Sequence, residues 1–218
     1  MTRSAFVRAR RPEHKQQRRE AILAAARELA LVSGVRNVSL GAVADAVGLA
    51  KSNIVRYFGT REEIYLILAA EEWQQWGEAI NALLRDRTGT DEVVAALSET
   101  LAERPLLCDL LSHTTTSLEH NVSVPAAGTF KRAILAVIAD VGARVSDATD
   151  LTEAEGVELV SAATGLAGLL YPIANPSATL AEMYAQNPDL AAACPELLPT
   201  LVRTLSALAA GLPAIRRP

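Results

Sequence analysis

Apolar positions in the first third of this chain recur at the spacing of helix faces. Ile22, Leu23, Ala26, Leu29, Ala30 and Val32 form one such stripe, which predicts a helix from about Gln17 to Ser33, stopped at its C-terminal end by Gly34. Ser39 stands where an N-cap belongs, its side chain placed to accept a free backbone N–H of a second helix, Leu40 to Val47. That helix buries Val43, Ala44 and Val47, and Gly48 supplies the turn, since the position after a helix end commonly needs positive φ. Leu49 then plugs the gap between neighbours. A third helix, Lys51 to Phe58, turns Ile54, Val55 and Phe58 inward and leaves Lys51, Ser52, Asn53, Arg56 and Tyr57 outward. Thr60 caps a fourth helix that runs to about Asp86, with Trp73, Trp76, Ile80, Leu83 and Leu84 on one side.

Helical periods continue beyond it. Asp91 to Glu103 reads as a helix and Pro105 starts the next, at the position where a missing N–H costs least. Thr152 to Tyr171 carries Ser161, Gly165 and Gly168 on roughly one face; each mid-helix glycine costs about 1 kcal/mol relative to alanine, which close helix approach would offset. Glu196 to Ala210 shows a broad stripe of Leu197, Leu198, Leu201, Val202, Leu205 and Leu208. Between these two, a segment with three prolines reads as short helices. With half of its 218 residues hydrophobic and only 4% aromatic, the chain has the composition of an all-α protein with one or two domains.

Charge sharpens this picture. Residues 1–65 hold 12 Lys/Arg against 6 Asp/Glu, a net of +6, whereas residues 66–218 hold 9 against 19, a net of −10. A basic head on an acidic body is the electrostatic footprint of a nucleic-acid-binding module joined to a part that avoids phosphates. Residues 1–16 contain Arg3, Arg8, Arg10, Arg11 and Lys15 without an apolar period, and read as a flexible basic arm that adds phosphate contacts or simply solubilises the chain. Two helices joined by a glycine turn, the second polar outside, make a helix-turn-helix whose second helix enters the major groove. Asn pairs with adenine and Arg with guanine or phosphate, while Ser and Tyr hydroxyls reach phosphate oxygens. Arg61, beside the exposed N–H groups of the fourth helix, adds a phosphate site.

From about Arg18 to Trp73, and most clearly in AVADAVGLAKSNIVRYFGTREEIY, the chain resembles the N-terminal domain of TetR-type transcriptional regulators. The resemblance covers about a quarter of the sequence. It implies an all-α, TetR-like protein: a three-helix DNA-binding domain over residues 17–65, and a helical ligand-binding and dimerisation domain over 66–218. It also implies a dimer on a palindromic operator of double-stranded DNA, usually a repressor released by a small-molecule effector. Carried over by position, Ser39 contacts phosphate, Lys51, Ser52 and Asn53 lie nearest the bases, and Arg56, Tyr57 and Arg61 grip the backbone. Three residues depart from the family pattern: Gly41 replaces a basic or polar residue, Ala50 the usual Ser or Thr cap, and Val55 a frequent Tyr. The two late helices become a four-helix interface between protomers, with Ser161, Gly165, Gly168, Leu198, Leu201, Val202 and Leu205 as its candidate residues.

Effector chemistry is less legible. Trp73 and Trp76 either pack the core or line the pocket. Cys108, His113, His120 and Asn121 are further candidates from a stretch dense in polar chemistry, and Tyr171 opens the proline-rich segment expected near the pocket. A metal reading of this stretch fails on spacing, because His113 and His120 are about 10 Å apart along a helix and zinc motifs are absent. No cofactor is expected. An enzyme is the rival class, yet there is no phosphate loop, nucleophile elbow or metal-spaced His/Glu set. A helix-turn-helix acting through protein partners is the other rival. The basic N-terminus lacks the apolar core of a signal peptide, and Val157 to Ala174 is interrupted by Glu158 and Pro172, which argues against a membrane span. Cys108 and Cys194 give no disulfide framework, so a reduced cytoplasmic setting is expected, with thiol sensing by either cysteine left open.

Overall fold

The structure is a computed structural model describing residues 3–216, with the side chains of residues 3–12 and Thr115 outside the description. Eleven α-helices and no strand occur among the described residues. The first four are α1 (Arg3–Ser33), α2 (Leu40–Ala46), α3 (Lys51–Phe58) and α4 (Arg61–Leu83). There follow α5 (Thr90–Ala102), α6 (Pro105–His113), α7 (Val124–Ala148) and α8 (Glu153–Ala174). Two short helices, α9 (Ala178–Gln186) and α10 (Pro188–Ala191), precede α11 (Leu197–Gly211). A π-helical turn, Thr114–Leu118, continues α6.

Local rules account for the head. Gly34 ends α1 at φ +82°, Gly48 makes the α2–α3 turn at φ +65°, and Ser39 Oγ accepts the Ala42 N–H at 3.1 Å. Thr60 Oγ1 caps α4 through the Glu63 N–H at 3.1 Å, whereas Ala50 provides no side-chain cap for α3. Ile22, Ala26, Val43, Ala44, Ile54 and Phe58 close one core, with Leu49 packed against it.

The structure departs from the sequence reading at several points. α1 begins at Arg3 rather than Gln17: residues 3–16, with four Arg and two Ala among them, join the helix without an apolar stripe. The side chains of Arg3, Arg8, Arg10 and Arg11 lie outside the described residues. Val32 is 88% exposed, so the α1 stripe ends at Ala30, and Val47 is only half-buried. α8 passes Tyr171 and accommodates Pro172 in its last turn. The sequence reading assigns no element to residues 122–151, most of which form α7, capped by Ser123 and started by a first-turn proline. Its Phe130, Val137, Val141 and Val145 are buried.

α4 serves two cores. Ile64, Tyr65, Leu68 and Ala69 belong to the head, and Trp73, Trp76, Ile80 and the following Leu84 belong to the body. Leu106 and Leu110 of α6 and Phe130 of α7 complete the head core, so the two parts share a packed boundary. α7 and α8 cross closely enough that a Cβ on Gly156 would fall on the Gly142 carbonyl oxygen. By length and composition, α8 and the stretch Leu197–Ile215 are apolar enough to cross a membrane, yet each turns one side into the body core through residues such as Leu159, Ala163, Leu201 and Leu205.

Candidate functional site

Two regions gather the chemistry. On α3, Ile54 and Phe58 are buried and hold the helix to the head, while Lys51, Ser52 and Arg56 are exposed and Asn53 and Tyr57 are half-buried at its flanks. Val55 is 44% exposed instead of facing inward, because at 100° per residue it follows Lys51 and Ser52 onto the outer face. The outer face is therefore Lys51, Ser52, Val55 and Arg56, one apolar side chain among polar ones. Arg36 is exposed in the 3₁₀ turn Val35–Asn37 and shares a shallow groove with Ser39 and Lys51. Sequence reasoning missed it, although a cation between the first two helices is a visible signal.

Arg61 has a different place from the expected one. Its guanidinium donates to the Val35 and Val38 carbonyls, pairs with Glu62 and lies 4.7 Å over the Tyr65 ring. It locks the turn before α2 to α4, and it could grip phosphate only by giving up those carbonyls. Glu62 and Glu63 occupy the first turn of α4, opposing an anion there. We expect Arg61→Ala to lower stability by about 2 kcal/mol, the order of hydrogen bonds to a charged donor, as read by urea denaturation. An unchanged midpoint would remove the clamp role.

Contacts between head and body are polar as well as apolar. The Asp109 carboxylate accepts the Val35 N–H at 2.7 Å, tying α6 to the turn after α1, and stands 3.5 Å from His113 Nε2. Arg27 of α1 pairs with Glu71 at 2.9 Å and with the buried Glu72, both on α4. Asn121 donates to Glu62 at 3.1 Å, and the Ser123 N–H donates to Glu63 at 2.9 Å.

In the body, a cavity of about 420 Å³ lies between α4, α6 with its π-helical turn, α7 and α8. Trp73, Leu111, Ile134 and Leu169 give it apolar walls, and Thr114 and Thr164 add buried hydroxyls. Of the aromatic, cysteine and histidine candidates, Trp73 alone lines this cavity among the described residues. Trp76 is fully buried, its indole N–H bonded to Thr100 at 3.1 Å, and packs edge-on against Trp73 at 5.6 Å. Cys108 lies in the core, its thiol directed to the Leu101 carbonyl, and burial pushes its pKa up to about 12, so no reactive thiolate forms near neutral pH. His113 faces Asp109, and His120 and Asn121 sit exposed at the loop before α7. Tyr171 lines a separate cleft of about 470 Å³ between the α1 C-terminus, α6 and the end of α8. Cys108, His113, His120 and Asn121 are close in sequence, yet the fold sends them to different sides.

The interface candidates divide in the same way. Ser161 and Gly165 on α8 and Leu198 on α11 are exposed, and Val202 is half-buried. Leu201 and Leu205 are fully buried in their own protomer. Gly168 faces α6, where a Cβ would stand 2.9 Å from Leu111 Cβ, so its small size serves packing within the chain.

The family model described as "Bacterial regulatory proteins, tetR family" matches residues 22–68, and that described as "Tetracyclin repressor-like, C-terminal domain" matches residues 70–216. Among solved structures, the chain is similar to Thermus thermophilus FadR, a TetR-family transcriptional repressor in complex with lauroyl-CoA. That match has 15% identity over 92% of this chain and 97% of that one, with a TM-score of 0.57. It is also similar to Bacillus subtilis FadR in complex with stearoyl-CoA (16%, 87% and 96%, 0.52) and to RolR in complex with resorcinol (14%, 95% and 98%, 0.54). No curated protein matches it in sequence. These structural likenesses establish the shared fold. With two thirds of its length matched by one family model and its head by another, the chain belongs to the tetR family of bacterial regulatory proteins, helix-turn-helix transcription regulators with a tetracyclin repressor-like C-terminal domain.

Proposed function

We propose that the protein is a cytoplasmic, non-enzymatic repressor that grips a palindromic operator as a homodimer and is released by a small molecule held in its body. The observation that carries this reading is the outer face of α3, where Lys51, Ser52 and Arg56 are exposed while Ile54 and Phe58 anchor the helix. Lys51 and Arg56 would neutralise phosphates, Asn53 and Ser52 would reach base edges, and Val55 suits the methyl group of thymine. Ser39, Arg36 and Tyr57 flank this face and would hold the backbone.

Dimerisation is supported by apolar surface left on α8 and α11. Leu169 is 62% exposed, Ile173 39% and Leu198 38%, next to Ser161, Gly165 and Val202. A two-fold pairing of these helices would cover that surface. Release follows by population shift: two heads must stand about 34 Å apart to meet successive major grooves, and a ligand that prefers another body conformation lowers DNA affinity. α4, the Asp109–Val35 bond and the Arg27 pairs are the physical route between the parts. The acyl-CoA and resorcinol complexes of FadR and RolR accord with a ligand-binding body.

Selection of the purified protein against a random duplex library at near-physiological salt tests this function, and recovery of an inverted repeat is the expected result. Failure to enrich any sequence from a folded dimer would leave the reading without support. Within a selected site, Asn53→Ala is expected to cost about 1–3 kcal/mol and to relax preference at one or two positions. If the selected sequence is unchanged by Asn53→Ala, that residue does not read bases.

A further inference from the structure

The hydroxyl groups around the body cavity are already committed as donors. Thr114 Oγ1 donates to the Leu110 carbonyl at 2.7 Å, Ser112 Oγ to Asp109 at 2.7 Å, and Thr164 Oγ1 to Val160 at 3.0 Å. Thr116 Oγ1 donates to the Ser112 carbonyl at 3.2 Å. A hydroxyl has one proton and two lone pairs, so each of these can still accept but no longer donate without breaking a helix bond. Lys131 is the charged side chain in the lining, and its ammonium sits 2.7 Å from the Glu119 carboxylate. The rim charge is thereby balanced. A carboxylate or phosphate would share with Glu119 an ammonium whose charge is already balanced, and an ammonium would meet Lys131 itself. The remaining walls are apolar, with the nearly buried Trp73 offering a flat surface.

We infer that this cavity takes a neutral, largely apolar ring compound carrying one or two hydroxyl groups, which supply the donors that the surrounding threonines and serine lack. This rests on the reading of the body as an effector-binding domain and names the chemical class it accepts. Buried acceptors left unmatched by a ligand discriminate strongly, because the penalty falls on the site itself.

Calorimetric titration of the intact protein with 2-naphthol, 2-methoxynaphthalene and 2-naphthoate tests the class. The expected result is binding of 2-naphthol at least tenfold tighter than the methyl ether, which has no donor, and than the carboxylate, which is charged. Thr164→Val should abolish that advantage and leave 2-methoxynaphthalene binding unchanged, and Ser112→Ala should reduce it, which covers a poorly folded Thr164 variant. Thr116→Trp, at an exposed rim position, should block all binding. Tightest binding by 2-naphthoate, or no advantage for the hydroxyl, overturns the class; if Thr116→Trp still blocks that binding, the cavity remains a ligand site. Absence of binding by all three probes, or binding indifferent to Thr116→Trp, overturns both the class and the site.

Discussion

Alanine at Gly156 is expected to destabilise the protein by about 3 kcal/mol or more, the upper part of the range for overpacking a core. The added methyl would fall on the carbonyl oxygen of Gly142, and that oxygen belongs to the backbone of α7, so no side-chain rotation can relieve the contact. α7 and α8 would have to separate. Their separation would loosen Val141, Val145, Leu159 and Val160, all fully buried in the body core. Within a single chain the same change at Gly165 has the opposite sign. Among the described residues, nothing beyond the helix's own backbone lies within 4 Å of a Cβ there, and alanine in a helix interior gains roughly 0.5–1 kcal/mol over glycine unless the partner helix of the proposed dimer closes on it. Urea denaturation of the two variants beside the parent protein measures both effects. A Gly156→Ala midpoint close to that of Gly165→Ala would mean that the two helices are not tightly apposed.

How far the sequence could be read depends on how local the cause is. Gly34, Gly48, Ser39 and Thr60 act within three or four residues, and each is found in its expected backbone role. On α3 the exposure of Lys51, Ser52 and Arg56 was legible, whereas Asn53 and Tyr57 are half-buried and Val55 is exposed, its helix angle outweighing its hydrophobic character. α7 has a capping serine and a regular apolar period, both local signals of a helix. The body cavity was not legible from spacing. It is formed by four helices, and its Thr114 and Thr164 resemble ordinary surface residues until packing turns them inward. Arg61 illustrates the same limit: a basic residue at a helix start reads as a phosphate ligand until the fold brings the Val35 and Val38 carbonyls to it.

That contrast between cations yields the largest effect expected on DNA binding. The double substitution Lys51→Ala/Arg56→Ala removes two exposed charges from each head, hence four from the proposed dimer. Each lost phosphate contact lowers the slope of log K against log salt by about 0.9, so the slope should shrink by roughly 3 to 4 units. Affinity for all duplexes should fall by at least about a hundredfold at 0.1 M salt, with sequence preference retained at the positions proposed for Asn53. Arg61→Ala should behave differently, lowering the denaturation midpoint while leaving the salt slope of the remaining folded protein near the parent value. Filter binding or anisotropy titrations over a series of salt concentrations separate the two. A salt slope that falls as far for Arg61→Ala as for the α3 double variant would return Arg61 to the phosphate-contacting set and transfer the anion-binding role to the start of α4. An unchanged slope for the double variant would mean that α3 does not face DNA.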